Sequence, residues 1–333
     1  MPSLVEALIE NGSCVVSSCF SFVYKLNLHF DVVHLQWPEA AFWGGEKISI
    51  QGCARLINAL KSRKMRGEKI LLTMHNEYPH SDRKLGIELY QQVMSLVDGV
   101  IHLAEASIGI AQGRYQKQLS DHVVHKVIPH ILYSNYTNNI SHAQARKLIA
   151  ADPSRRHVLV FGAIRSADER DLILGLTKNF RERGGCLHLV GQPPFGRREL
   201  SYYKYFIPLW RAKGVFLRSG FLPDDEVQTY FKGCDALLIP RIDTLNSGNV
   251  YLGLTFEIPV IGPDCGNISA VLKDAGQSLF YPSQLDKSGD LIDNVIDDKI
   301  NRLKLIKDYV RNYPTLDEIA NLHLNFYTEI SYK

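Results

Sequence analysis

The sequence Asn-Ser-Gly-Asn at residues 246–249 has the residue types and the position of an anion-binding turn. An apolar run at 236–239 predicts a buried strand before it, and apolar residues at helical spacing follow it. The first amides of a helix have no partner within the helix, so they would point at an anion near the carboxyl end of that strand. Gly248 leaves room there for a phosphate. An ordinary strand-to-helix turn has the same sequence, and the other elements must decide between the two interpretations.

Short apolar or β-branched runs alternate with segments of helical period along the whole chain. This alternation is typical of parallel sheets flanked by helices. In the first half, strands are predicted at 14–16, 31–35, 69–73, 99–103 and 123–128. In the second half, they are predicted at 157–161, 186–190, 215–217, 235–239 and 259–261. The pattern predicts an α/β protein with two doubly wound, Rossmann-like domains that face each other across a cleft, with the ligand at the carboxyl ends of the strands.

The length of 333 residues fits two domains better than one. We predict an N-terminal domain at 1–140, a C-terminal domain at 141–312, and a last helix at 313–333 that packs back on the N-terminal domain. The net charge is +3, and the excess lies in residues 1–150, which is too slight for a nucleic-acid-binding protein. The basic run at 61–66 suits a solvated helix end or a weak peripheral contact with an anionic membrane.

The six cysteines are scattered and show no spacing typical of metal ligands or redox pairs. We therefore expect reduced cysteines in a cytoplasmic protein without a metal site. The sequence shows no basic start followed by an apolar run, so it predicts no signal peptide. Charged residues interrupt the apolar region at 14–37. The sequence predicts no membrane span.

Five motifs in order make the chain resemble the GT-B glycosyltransferases that build bacterial surface polysaccharides from nucleotide sugars. Residues 31–39 read DVVHLQWPE, and residues 73–80 read TMHNEYPH. Residues 127–130 read VIPH, 160–165 read VFGAIR, and Asn-Ser-Gly at 246–248 precedes Pro-Val-Ile-Gly-Pro at 259–263. Each motif resembles a family motif, and each falls at the end of a predicted strand. The resemblance spans nearly the whole chain.

The resemblance implies a donor site for a nucleoside diphosphate sugar in the second domain. Ser247 and Gly248, with Asn246 and Asn249 beside them, would hold the diphosphate with backbone amides. Arg165 would neutralise it, since a guanidinium pairs with two phosphate oxygens at once. Surface ion pairing is the alternative role of this arginine. Arg241, just beyond the next strand, would be the second cation. No metal or other cofactor is expected in this site.

The resemblance also implies a catalytic and acceptor side in the first domain. His75 would touch the donor sugar or its phosphate, although a His-Asn pair at a strand end is also found in ordinary turns. The residues expected to face the glycan or glycolipid acceptor include Trp37 and His80. Glu39, Glu77 and His80 are the candidates for the base that deprotonates the acceptor hydroxyl. Trp37 and Trp43 are equally compatible with a place in the core.

Several positions depart from the family pattern. The retaining branch has two glutamates eight positions apart, and the equivalent positions are Thr244 and Leu252 here, so retention or inversion of the anomeric carbon stays open. A lysine usually follows the arginine at 165, and Arg170 is its possible substitute. Related chains also have a strand before the helix that begins here at Pro2, so the first strand of the N-terminal domain is expected to be missing.

Three functions fit these observations. The leading one is the transfer of a sugar from a nucleoside diphosphate donor to a growing, lipid-linked surface glycan at the inner face of the cell membrane. A GT-B subunit that binds but does not catalyse is the alternative, favoured by the missing acids. A nucleotide-sugar epimerase is the third, and it needs no acceptor surface such as Trp-Pro-Glu at 37–39.

Overall fold

The computed structural model describes residues 2–12, 20–42, 48–78, 83–192, 207–283 and 290–332. The chain divides into two compact units. One comprises residues 1–131 and 314–333, and the other comprises residues 132–313. The division falls at 131/132, before the predicted boundary at 140/141, because residues 132–140 bond to the second unit. The backbone amide of Tyr133 donates to Thr255 Oγ1 (3.0 Å), and that of Asn139 donates to Gln228 Oε1 (2.9 Å).

Within the described residues, the first unit contains a parallel sheet of four strands in the order β1-β2-β3-β4. The strands are β1 (Val32–Leu35), β2 (Lys69–Thr73), β3 (Gly99–His102) and β4 (Val124–Val127). The helices are α1 (Pro2–Glu10), α2 (Ile50–Met65), α3 (Arg83–Met94) and α4 (Ala106–Tyr115). The last helix, Leu316–Ser331, packs on α1, and its N-terminus is closed by a capping box of Thr315 and Glu318. The predicted strand at 14–16 lies outside the described residues.

The C-terminal end of α2 shows that the basic run at 61–66 is not a uniformly solvated surface. Arg63 is fully buried, and its NH1 lies 2.5 Å from Glu68 Oε2. Its Nε donates to the carbonyl oxygen of Val23 (2.8 Å), which ties the segment before β1 to the helix. A buried guanidinium requires such partners, because an unpaired buried charge is strongly destabilising. Lys61 and Arg66 remain exposed.

The second unit contains a parallel sheet of six strands in the order β10-β9-β8-β5-β6-β7. The strands are β5 (His157–Phe161), β6 (Cys186–Gln192), β7 (Val215–Ser219), β8 (Ala236–Leu238), β9 (Val260–Pro263) and β10 (Ser278–Phe280). The helices are α5 (His142–Leu148), α6 (Ala167–Glu182), α7 (Asp224–Gly233), α8 (Gly248–Thr255), α9 (Gly266–Asp274), α10 (Leu291–Asp297) and α11 (Lys299–Arg311). Two apolar clusters pack on the sheet, and every residue of its inner strands β8 and β9 is buried. The two predicted sheets are therefore confirmed.

Candidate active site

His75 lies just beyond the end of β2, with only 6% of its surface exposed. The imidazole stacks on Trp37 with ring centroids 4.2 Å apart, and its Nε2 lies 2.8 Å from Gln36 Oε1. Burial lowers the pKa of His75 well below its usual value, and the nearby His130 adds to this effect. The ring is therefore neutral at physiological pH. Trp37 is neither a free aromatic platform nor a fully buried core residue, because one face covers this histidine.

A pocket of the first unit opens beside this histidine at the carboxyl edge of the sheet. Its polar lining comes from Gln36, Thr73, His75, His130 and His323, and aliphatic side chains complete it. Burial lowers the pKa of His130 to about 4 and also lowers that of His323. The pocket is therefore lined by neutral imidazoles, and a neutral imidazole can donate at one ring nitrogen and accept at the other.

Glu39 lies in a short 3-10 helix, Pro38–Phe42, that directly follows Trp37. Tyr90 donates a hydrogen bond to its Oε2 (2.7 Å). Burial raises the pKa of Glu39, while hydrogen bonds from Tyr90 and Asn76 oppose this increase. A carboxylate with a raised pKa is a better base than a solvated one, so this environment suits proton abstraction.

Glu77 has a different environment. Its Oε2 lies 2.6 Å from Arg114 Nε, in a half-exposed ion pair. The guanidinium neutralises the carboxylate and occupies it, which disfavours Glu77 as the base. His80 and Trp43 lie outside the described residues.

The second unit brings together two arginines and one carboxylate beyond β5 and β8. Arg165 is exposed, whereas Arg241 is 6% exposed. Glu169, in the first turn of α6, accepts from the Arg165 backbone amide (2.7 Å) and from Arg241 NH1 (2.7 Å). Desolvation and the charge of Arg241 lower the pKa of Arg165 to about 10, so the Arg165 guanidinium stays charged at neutral pH. The two guanidinium groups and Glu169 thus form one charged cluster beyond the ends of β5 and β8.

Helix α8 begins at Gly248 beside the end of β5. Its N-cap residue Ser247 makes no side-chain capping bond, and Asn249 Nδ2 donates to the carbonyl oxygen of Phe161 (2.7 Å). Asn246 accepts from Thr244 through its backbone oxygen (2.9 Å). The reason for glycine at 248 differs from the expectation, because a Cβ atom at this position would lie 2.7 Å from the Tyr133 hydroxyl. The Tyr133 hydroxyl therefore lies where a side chain at position 248 would begin.

No protein-family model matches the chain. A GDP-mannose:glycolipid 4-beta-D-mannosyltransferase of Xanthomonas campestris pv. campestris is 21% identical over 300 residues, which cover 89% of this chain and 79% of the relative. Sucrose-phosphate synthase of Thermosynechococcus elongatus superposes with a TM-score of 0.68 at 15% identity. The match covers 90% of this chain and 74% of the synthase chain. A glycosyltransferase of Rickettsia africae superposes with a TM-score of 0.62 at 12% identity, and the match covers 98% of this chain and 81% of the Rickettsia chain.

The chain has the GT-B fold, and the proteins that it matches are glycosyltransferases. The mannosyltransferase matches this chain in sequence, and the solved structures match it in fold. The resemblance inferred from the five motifs is therefore confirmed at the level of fold and enzyme class.

The positions that differ from the family pattern have structural contacts. Leu252 is buried in the apolar cluster around α8, and Thr244 Oγ1 donates to the backbone of Asn246. Arg170 forms a two-pronged ion pair with its neighbour Asp171, at 2.7 and 2.8 Å. Its charge is thus shared with a carboxylate, which weakens its case as a substitute for the usual lysine.

Several residues of the clusters around His75 and Arg165 were not predicted from the sequence. Glu169 is four residues after Arg165, in the first turn of α6, and this short separation was a usable signal. Tyr90 and Tyr133 gave no local signal, because their partners Glu39 and Gly248 are far away in sequence. In the described part of the chain, no group of three metal-binding side chains occurs and no helix is long and apolar enough to span a bilayer.

Proposed function

We propose that this glycosyltransferase moves a hexosyl group from a nucleoside diphosphate sugar to a lipid-linked surface glycan at the inner face of the cell membrane. The neighbouring cations Arg165 and Arg241 carry the proposal, because two guanidinium groups suit the negative charge of a leaving diphosphate. The name of the Xanthomonas relative, which specifies GDP-mannose and a glycolipid, supports both the donor class and the acceptor class.

The donor diphosphate is proposed to bind Arg165 and the first amides of α8, at Ser247, Gly248 and Asn249. Negative charge grows on the leaving diphosphate as the glycosidic bond breaks. A guanidinium that pairs with two phosphate oxygens stabilises that charge more strongly than it stabilises the intact donor. Glu169 supports this site by holding the buried Arg241 in place.

The acceptor hydroxyl is proposed to lose its proton to Glu39, with His75 as a hydrogen-bonding partner of the transferred sugar. Glu39 is favoured over Glu77 because its carboxylate is half-buried with a raised pKa, whereas Glu77 is paired with Arg114. Trp37 contributes the aromatic edge beside these residues.

We further propose that the reaction needs no divalent metal, since two guanidinium groups and helix amides supply the positive charge at the diphosphate. Excess EDTA should leave the turnover of the enzyme unchanged, and restoring Mg²⁺ or Mn²⁺ should not increase it. A loss of activity that either metal reverses would refute this proposal.

The deciding experiment is an assay of the enzyme with GDP, UDP, ADP and dTDP sugars in the presence of extracted bacterial glycolipids. Release of the nucleoside diphosphate and a hexose-sized mass increase of the lipid would support the transferase. Nucleotide binding without turnover of any donor would favour the non-catalytic subunit. Conversion of the sugar nucleotide without an acceptor would favour the epimerase. NMR of the product's anomeric proton would then distinguish retention from inversion.

A further inference from the structure

We infer that Gln36 is a positioning residue that fixes His75 in the tautomer protonated at Nε2. This inference rests on the function proposed above for His75 and adds to it a chain of residues from β1, β2 and the last helix. None of the motifs assigned a role to Gln36, His34 or Tyr327.

The contacts of the Gln36 amide set the direction of the hydrogen bonds. Its Oε1 lies 2.8 Å from His75 Nε2, and an amide oxygen can only accept, so His75 Nε2 carries the proton. Its Nε2 lies 3.2 Å from His34 Nε2, and an amide nitrogen can only donate, so His34 accepts there. The Gln36 amide therefore accepts a hydrogen bond from His75 and donates one to His34.

The bonds of His34 are consistent with this direction. Thr73 Oγ1 lies 2.7 Å from the same His34 Nε2 and donates its hydroxyl proton. Neutral His34 then has its proton on Nδ1, which lies 2.7 Å from the Tyr327 hydroxyl. Burial lowers the pKa of His34 to about 3, so this ring is neutral at physiological pH. Every donor in this chain of bonds thus points the same way, from His75 through Gln36 and His34 to Tyr327.

The tautomer matters because neutral His75 has a single ring proton. With that proton on Nε2, Nδ1 carries the lone pair, and this side of the ring is a hydrogen-bond acceptor. In the opposite tautomer Nδ1 would donate instead. The other titratable groups around the ring are His34 on β1, His130 after β4, and His323 and Tyr327 on the last helix.

The test combines histidine NMR with kinetics. In the parent enzyme labelled with ¹⁵N-histidine, His75 should show a protonated Nε2 and an unprotonated Nδ1. Gln36→Leu should give a mixture of the two tautomers and reduce kcat about tenfold, with the KM for the donor changed less than about twofold. Gln36→Glu keeps the acceptor for His75 and adds a charge, so it should keep the Nε2 proton and shift the pH profile of kcat to higher pH. Gln92→Leu, an exposed glutamine of α3, is the matched control.

Each outcome of this test has a defined meaning. A parental His75 protonated at Nδ1 overturns the inference, and this measurement needs no variant to fold. A loss of kcat in Gln36→Leu without a change of tautomer also overturns it, because the effect would then be structural. A changed tautomer with parental turnover supports the positioning by Gln36 but refutes the proposed role of His75, so the two failures are distinguishable.

Discussion

At the scale of single residues, the burial of His75 changes what its replacement should do. An imidazole facing open solvent could be removed at little cost in stability, but here it stacks on Trp37 and donates to Gln36. We predict that His75→Ala lowers turnover about a hundredfold. It should also lower the free energy of unfolding by about 1–3 kcal/mol, because the Gln36 amide loses its partner.

His102→Ala is the matched control for this prediction. His102 is also fully buried in the first unit, and it lies within hydrogen-bonding distance of Ser107 (3.1 Å) and His125 (2.8 Å). Its replacement should destabilise the fold to a similar extent while turnover stays near the parental value at a temperature where both variants are folded. Equal losses of turnover in the two variants would show that the effect of His75→Ala is one of stability alone.

Arg165 provides the second prediction at this scale. Arg165→Ala should weaken the binding of nucleoside diphosphates by about 1.5–3 kcal/mol, the range of a hydrogen bond to a charged group. Isothermal titration calorimetry of the diphosphates measures the difference directly. Arg311→Ala removes a guanidinium that is 74% exposed and paired only with Asp308 among the contacts described, and it should bind like the parent. Unchanged affinity in Arg165→Ala would place the diphosphate elsewhere.

At the scale of elements, the start of α8 depends on a contact with the segment before α5. Gly248→Ala would bring a Cβ atom to 2.7 Å from the Tyr133 hydroxyl and 3.8 Å from the adjacent ring carbon. We predict that Gly248→Ala lowers the unfolding free energy by about 1–3 kcal/mol through overpacking. In a Tyr133→Phe background the cost should fall well below that, since the nearest atom is gone. Urea denaturation of the four proteins gives the coupling energy, and additive effects would contradict this contact.

The strands were predictable because a buried parallel strand is a continuous apolar run. The strand predicted at 157–161, for example, has the same bounds as β5. The strand at 215–217 was predicted too short, since the edge strand β7 continues through Arg218 with alternating exposure. β10 was missed because it has only three residues and begins with a serine. Local pattern thus identifies central strands better than short or marginal ones.

The candidate site was predictable only in part, for a physical reason. Positions such as Arg165 and His75 follow from strand ends, which local sequence defines. Their partners do not, since Arg241 and Glu169 meet over 72 residues, and His34 and Tyr327 meet over 293. Contacts of this separation are set by the packing of whole elements. The sequence therefore identified the cations but not the carboxylate that holds one of them, and the histidine but not the glutamine that orients it.

At the scale of the whole molecule, both units bury neutral histidines, and this makes the fold sensitive to acid. Burial lowers the pKa of His34 to about 3 and those of His102, His130 and His188 to about 4. The unfolded chain titrates near pH 6.5, so it binds more protons than the folded chain between about pH 6.5 and pH 4. The stability from these four groups is fully present above pH 6.5 and is lost as the pH falls.

We therefore predict that the free energy of unfolding decreases by up to about 1.4 kcal/mol per pH unit for each of these histidines below pH 6.5. Urea denaturation at pH 7.5, 6.0 and 5.0 measures the slope, with circular dichroism and tryptophan fluorescence followed together because two units need not unfold as one. His188→Gln should reduce the slope for the second unit, since glutamine cannot be protonated. His122→Gln, at an exposed position, should leave it unchanged. Stability that is constant from pH 7.5 to 5.0 would mean that these imidazoles are solvated in the folded protein, and the neutral pocket around His75 would lose its physical basis.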